Sequence, residues 1–525
     1  MDETGIIFNR KVLPRWRDSK RLLSAEIAST TQGMPNQKHT DELMRHYYYL
    51  WQANPTIENA LDVLCYAQTA KDNALAYGAA EQILKTKGVL PGVYDLAHAI
   101  RHRPKLLEDD IVANASQNIP LIISAQRQKI HEARQRLIDD PRNSLLWLEL
   151  SRLHIGLGNN EHADAAMRKA LAATPDNRLI LRAASRLYIH LGCAEDAHEC
   201  LLKSDALKVD PWLQAAEISV AAVSGKGSVT MKSAKAHVAD LQSIPIHFSE
   251  LSAAIGTEEL NNGKVKLAKK FISKCLENPT DNSVAQALWA RERLNTEVLL
   301  SLIERTPNTY EAQSGYMLYN GDYKAALAAY MLWHFDEFFS PTPSIQGSFI
   351  ALTFLEDYET ALHLVNLGLK ANPNNPFLLN NGVVALAKLN RTAEARTKIK
   401  KLLSLRTENL TLEPTFIATE GLLLFCEGKF LEGRKKYSQA AQLAAAANTK
   451  DVEFRVKLHW LREEVLAKQI TPEEMMKIVN SLDEAMTRGG HRLPFLTRKT
   501  WEHFKKKILD AYMPDTEETG RLQLF

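Results

Sequence analysis

The densest set of potential metal ligands in the chain is His190, Cys193, His198 and Cys200. A structural zinc ion needs four such groups converging on one point. The local pattern instead sets His190 and Cys193 beside a turn, and His198 and Cys200 on the helix that follows, facing different directions. The expectation is packed or half-exposed side chains, with no metal and no organic cofactor.

A second group is cationic. Residues 10–21 hold Arg10, Lys11, Arg15, Arg17, Lys20 and Arg21 against the single acid Asp18, with Pro14 breaking the run and Trp16 among the charges. Arg10, Lys11, Arg15, Trp16 and Arg17 could dock on an acidic or nucleic-acid partner, the indole serving as anchor. The plainer alternative is an ordered extension across the first helices with its charges solvated, as short charge runs usually are. Either way the segment reads as lying outside the solenoid core, so removing residues 1–22 should change stability little and association more.

Catalytic signatures are missing. The sequence has no G-x-x-x-x-G-K-[ST], no H-E-x-x-H and no G-x-S-x-G, and no strand precedes a G-x-G-x-x-G. An enzyme is not expected. The chain of 525 residues is 45% hydrophobic and 24% charged, the balance of a chain with a large buried core. Its formal charge of +3 gives no global field toward nucleic acid or an anionic membrane. Cys65, Cys193, Cys200, Cys275 and Cys426 are scattered and odd in number, which argues for a reducing compartment. The first residues are acidic where a secretory signal would be basic, and no apolar run is long enough to span a bilayer. A cytoplasmic protein is expected.

The elements that must position these residues follow from a repeat. Pro141 and Pro175 stand 34 residues apart, and Trp147, Gly158 and Ala163 recur at the same spacing as Leu181, Gly192 and Ala197. Trp147 and Leu150 open one helix, Gly158 makes the turn, and Ala163, Met167 and Ala170 form the inner face of a second helix. Similar sets return at Tyr310, Ser314, Gly321, Ala326 and Tyr330, at Tyr358, Ala361, Val365 and Pro373, and at Gly421, Gly428, Phe430, Gly433, Tyr437 and Ala440. A weaker unit is centred on Ala268, Phe271 and Cys275. Small residues let the two helices of a pair approach, and a lone pair cannot bury its apolar face, so the pairs must stack.

On these residues the chain resembles the tetratricopeptide repeat family, as a cytosolic protein of bacterial type. The resemblance implies an all-α solenoid of helical pairs, a right-handed superhelix with divergent terminal helices. The expected layout is a basic arm and lead-in over 1–40, divergent helical repeats over 41–140, a repeat array over 141–451 with a loop near 224–228, and capping helices with a tail over 452–525. Thr471-Pro472-Glu473-Glu474 reads there as a capping box opening a helix with Met475, Ile478, Val479 and Leu482 on its apolar face.

In such repeats, positions five and nine of the first helix face the concave groove. They carry Arg152, Arg182 and Arg186 in two adjacent repeats, then uncharged or acidic residues such as Glu311, Gly315, Asn380 and Val384. The three arginines could grip an acidic segment of a partner bidentately, facing solvent in the free protein. Alternatively, their stems cover apolar helix surface. Aromatic residues at Tyr47, Tyr48, Tyr49 and Trp51, and at Tyr330, Trp333, Phe335, Phe338 and Phe339, are expected in the core rather than at a hot spot. The resemblance implies an interaction scaffold or adaptor subunit that binds partner proteins along its groove, with self-association open. The alternative is an accessory subunit of an effector complex that contacts nucleic acid through the N-terminal arm.

Overall fold

Asn143 shows how the sequence starts a repeat. Its side-chain oxygen accepts a hydrogen bond from the Leu146 N–H at 2.9 Å, satisfying a donor that the first helical turn leaves unpaired. Asn177, 34 residues on, caps the next pair in the same way through the N–H groups of Leu179 and Ile180. Between them Gly158 turns the chain at φ 71°, and its counterpart Gly192 sits at φ 79°, a region that a side chain disfavours. Ala163, Met167 and Ala170 are fully buried against the first helix of the pair.

The computed structural model describes residues 10–17, short stretches between 45 and 97, and then 119–405, 412–489 and 493–512. Among the described residues there are helices, turns and no strands. The chain divides into two units, which in the described residues are 10–340 and 341–525.

In the N-terminal unit the continuous helices are α1 (Asn73–Lys85), α2 (Ile119–Asp139), α3 (Ser144–Ile155), α4 (Asn160–Ala173), α5 (Arg178–His190), α6 (Ala194–Leu202), α7 (Pro211–Val223) and α8 (Met231–Asp240). They continue as α9 (Ile246–Asn261), α10 (Val265–Cys275), α11 (Asp281–Leu294), α12 (Leu300–Arg305), α13 (Tyr310–Asn320) and α14 (Tyr323–Asp336). Helices α3 and α4, α5 and α6, α9 and α10, and α13 and α14 pack as pairs. Residues 224–228 form the expected loop, tied down where Glu217 accepts hydrogen bonds from Ser228 and Thr230.

The C-terminal unit holds α15 (Thr342–Ile350), α16 (Tyr358–Ala371), α17 (Pro376–Lys388), α18 (Thr392–Ser404), α19 (Leu412–Cys426), α20 (Phe430–Ala446), α21 (Lys450–Leu466), α22 (Pro472–Gly489) and α23 (Phe495–Tyr512). Close approach in the α19–α20 pair depends on glycine. A Cβ on Gly421 would stand 3.2 Å from the Gly433 carbonyl oxygen. The capping box at α22 forms as the sequence implies: the Glu474 N–H donates to Thr471 Oγ1 at 3.2 Å, and the Thr471 N–H to Glu474 Oε2 at 3.3 Å. Met475, Val479 and Leu482 are buried beneath it.

Candidate peptide-binding slot

Residues 10–17 have no helical structure, yet they are among the better buried parts of the N-terminal unit. Val12 (1% exposed) enters the hydrophobic core formed by α7, α9, α10 and α11, and Trp16 (2% exposed) lies against Phe339 with ring centroids 5.3 Å apart. The segment does not lie across the first helices, and its charges are not solvated. It crosses α9, α11, α13 and the end of α14, because those helices carry the carboxylates its cations require.

Helix α11 supplies the floor. Thr280 caps it with a full capping box, which fixes the first turn and aims Asp281, Asn282 and Gln286 at the segment. The amides read the segment's main chain. Asn282 Nδ2 donates to the Leu13 carbonyl at 2.9 Å, and Gln286 Nε2 to the Arg10 carbonyl at 3.3 Å.

The arginines are met by carboxylates. Arg10 donates two parallel hydrogen bonds to Glu311, at 2.8 and 2.7 Å, and further ones to the Asn282 and Gln286 side-chain oxygens. Lys11 reaches Glu258 at 2.6 Å. Arg15 bridges Asp281 (3.0 Å), Glu337 (2.7 Å) and Glu311, with its guanidinium 5.7 Å from the Trp333 ring centroid. Arg17 forks onto Asp281 and also donates to Asp336.

Electrostatics follow from this geometry. Burial works to raise the Glu311 carboxyl, but Arg10 and Arg15 outweigh it and hold the group well below the usual carboxylate range. Asp281 and Glu337 are likewise depressed against their burial, Asp281 by Arg17 and Arg15, Glu337 by Arg15 and Arg186. Asp336 and Glu337 stand at the C-terminal end of α14, where the helix dipole disfavours negative charge. Arg15 and Arg17 supply the compensating cations.

Arg152, Arg182 and Arg186 do not stand open to solvent as donors to an acidic partner. Arg182 (3% exposed) pairs with Glu250 at 2.9 Å and stacks 4.6 Å from the Trp212 ring centroid. Arg152 (5% exposed) pairs with Glu149 at 2.6 Å and lies over Phe338. Arg186 is half-buried over Phe339, its Nε 3.8 Å from Glu337. Buried guanidinium groups need carboxylates or ring faces at close range, and this chain provides both.

His190, Cys193, His198 and Cys200 go to separate neighbours. His190 abuts Phe339 edge-on, and burial and Arg186 push its imidazole down to about 4. His198 Nε2 lies 2.9 Å from buried Glu217, Cys193 is exposed, and Cys200 donates to the Ala197 carbonyl. Among the described residues no three His, Cys, Asp or Glu side chains are grouped to hold a metal. Tyr330, Trp333 and Phe339 are buried, as expected of core positions. Tyr48 and Tyr49 are exposed, contrary to expectation, and Tyr47 lies outside the described residues, as do Lys20 and Arg21. Sequence reasoning missed Asp281, Asn282, Gln286, Asp336 and Glu337. The acidic pair at the wrong end of α14 is the signal that could have found the last two.

The tetratricopeptide repeat family model matches residues 145–177, the α3–α4 pair with Gly158 at its turn. Among solved structures the chain is similar to the APC/C hetero-tetramer Cut9–Hcn1 (12% identity over 89% of this chain and 93% of that one, TM-score 0.41). It is also similar to yeast Tom70 (12%, 89% and 100%, TM-score 0.29) and to the P58(IPK) TPR domain (13%, 71% and 99%, TM-score 0.21). No curated protein matches the sequence. The structural likenesses are distant, so the assignment rests on the paired helices and the matched residues. Residues 145–177 form a tetratricopeptide repeat, and the described chain around them is an all-helical protein of stacked helical pairs.

Proposed function

We propose that the protein is an interaction scaffold that holds extended segments of partner proteins in the slot of its N-terminal unit. The observation that carries this reading is the docked segment 10–17, whose carbonyls are read by Asn282 and Gln286. Amides that recognise main-chain carbonyls do not depend on side-chain identity, and stacked repeats present extended surfaces suited to binding. Four free thiols, at Cys193, Cys200, Cys275 and Cys426, suit a reducing compartment such as the cytoplasm. Among the described residues no helix is long and apolar enough to cross a membrane. The nucleic-acid alternative has no support here, since Arg10, Lys11, Arg15 and Arg17 are already matched to carboxylates.

The test is a selection from a displayed peptide library against the full-length chain carrying R15A and R17A, which loosens the resident segment. The expected result is an enriched peptide family whose binding is lost in a further N282A/Q286A variant. Failure to enrich any family on the folded chain would remove the scaffold reading for this slot.

A further inference from the structure

Once residues 10–17 are set aside, the ion pairs of the slot no longer balance. Among the described residues, the ion pairs of Asp281, Glu311, Asp336 and Glu337 run to four guanidinium groups, those of Arg10, Arg15, Arg17 and Arg186. Three of the four cations belong to the segment. Without them Arg186 is the one arginine among the described residues to face Asp281, Glu311 and Glu337, and any occupant of the slot must restore positive charge.

The attachment is also of a particular kind. Among the described residues no main-chain to main-chain hydrogen bond ties 10–17 to a helix. The contacts run through side chains: two amides, five carboxylates, an aromatic face and the apolar core that Val12 enters. A strand integral to the fold is joined by a ladder of main-chain hydrogen bonds. This segment is held by side chains as a ligand is held, with a buried indole between an arginine that bridges three carboxylates and one that forks onto Asp281, residue types enriched at binding hot spots.

We infer that the slot is a receptor for an extended peptide with an arginine–aromatic–arginine core, and that residues 10–17 are its resident occupant, which a partner's segment of that chemistry must displace. This rests on the scaffold reading above and adds to it the ligand class and an internal competitor. Recognition needs a bidentate arginine at the Arg10 position for Glu311, and a ring at the Trp16 position against Phe339. It also needs two arginines flanking that ring, one for Asp281 and Glu337, the other for Asp281 and Asp336. Tethering gives the resident segment an effective concentration of around millimolar. The unaltered chain should therefore bind a competing peptide far more weakly than a chain whose segment is disabled.

The probe is a fluorescent peptide of residues 8–19, titrated into three full-length proteins by anisotropy. The first is unaltered, the second carries R15A and R17A, and the third has a protease sequence between residues 18 and 44 that is cut after folding. The second should bind the probe at least tenfold more tightly than the first, and the third should exchange its freed fragment for the probe. A probe carrying both alanines should bind none of them. Equal binding by the first two proteins, or no exchange in the third, overturns the inference. So does loss of helicity in the second combined with a retained fragment in the third, because the segment is then a permanent part of the fold. A concentration-dependent dimer with exchanged segments also overturns it, since the occupant is then a second copy. Should the display selection instead yield peptides without arginine that still need Asn282 and Gln286, the scaffold reading stands and only the ligand class falls.

Discussion

The carboxylates of the slot and those of the C-terminal unit find their partners in different ways. In the C-terminal unit Glu427 meets Arg396 and Glu464 meets Arg434, partners 31 and 30 residues away, about one repeat. Lys388 and Glu463, 75 residues apart, bridge α17 to α21. In the N-terminal unit the partners of Asp281, Glu311, Asp336 and Glu337 on the segment lie 264 to 322 residues back in the chain. The first arrangement is that of a solenoid whose neighbouring repeats complete one another. In the second, the helices leave acidic positions whose cations come mainly from chain outside the array, with Arg186 of α5 also facing Glu337. A stacked array thus needs no ligand for its own stability, and the N-terminal unit departs from that rule where it holds residues 10–17.

The comparison can be broken most directly with Arg17→Ala. Leaving Asp281 and Asp336 without their buried partner should cost about 3–5 kcal/mol, unless the segment undocks first, and docking energy then caps the loss. The matching Arg396→Ala, at a pair whose arginine is 34% exposed, should cost less than about 1 kcal/mol. Hydrogen exchange resolved by helix would check both, with slowed protection lost in α11, α13 and α14 for the first variant only. Equal effects would abolish the distinction between the units. This also revises the expectation that residues 1–22 can be removed without loss of stability, since Val12 and Trp16 are core side chains.

Acid provides the second test. His190 and His247 are both pushed down to about 4, by burial first and then by Arg186 and Arg178 respectively. Folded imidazoles that resist protonation leave the unfolded chain binding more protons between about pH 6.5 and pH 4. Stability therefore falls as pH drops through that window, by up to about 3 kcal/mol per group. Through the ordinary carboxylate range the unfolded chain's carboxyls take up protons, while Asp281, Glu311 and Glu337 resist. Their depressed values mean that stability present above the ordinary carboxylate range is lost as pH falls further. Unfolding followed from pH 7 to pH 3 should show both phases in the N-terminal unit, and the 8–19 probe should be released in the lower one. A pH-independent unit would contradict the pairing.

Smaller effects sharpen the picture. A Cβ on Gly156 would stand 1.9 Å from the Phe338 ring, so Gly156→Ala should cost about 1–3 kcal/mol through overpacking. In the C-terminal unit, Thr471→Ala removes an exposed capping box and should cost about 1 kcal/mol without changing probe binding. Thermal melts of the two variants suffice to rank them.

The repeat was legible because its determinants are local and recur. Gly158 and Gly192 as turns, and Ala163, Met167 and Ala170 as inner face, all act within one 34-residue period; the caps Asn143 and Asn177, which sequence reasoning missed, keep the same spacing. The slot was only half legible. Arg10, Lys11, Arg15, Trp16 and Arg17 stood out by composition, and Glu311 by register, but nothing local joins a segment at residue 10 to a helix starting at 310. Arg152 and Arg182 illustrate the converse. Register placed them on first helices, whereas Glu149, Glu250 and two aromatic faces, which periodicity does not pair with them, determine that they are already engaged.

The 301 positions between Arg10 and Glu311 also set an order in time. During synthesis residues 10–17 leave the ribosome long before α11, α13 and α14 exist. At 5–20 residues per second the interval is roughly 15–60 s. Throughout it a cationic, tryptophan-bearing stretch waits beside a growing array of helices with nowhere of its own to bind. The nascent chain therefore passes through a period in which its segment is available to other molecules, and then one in which the slot is newly formed. On the scaffold reading proposed above, this is the interval in which competing peptides meet the slot before the resident segment is seated.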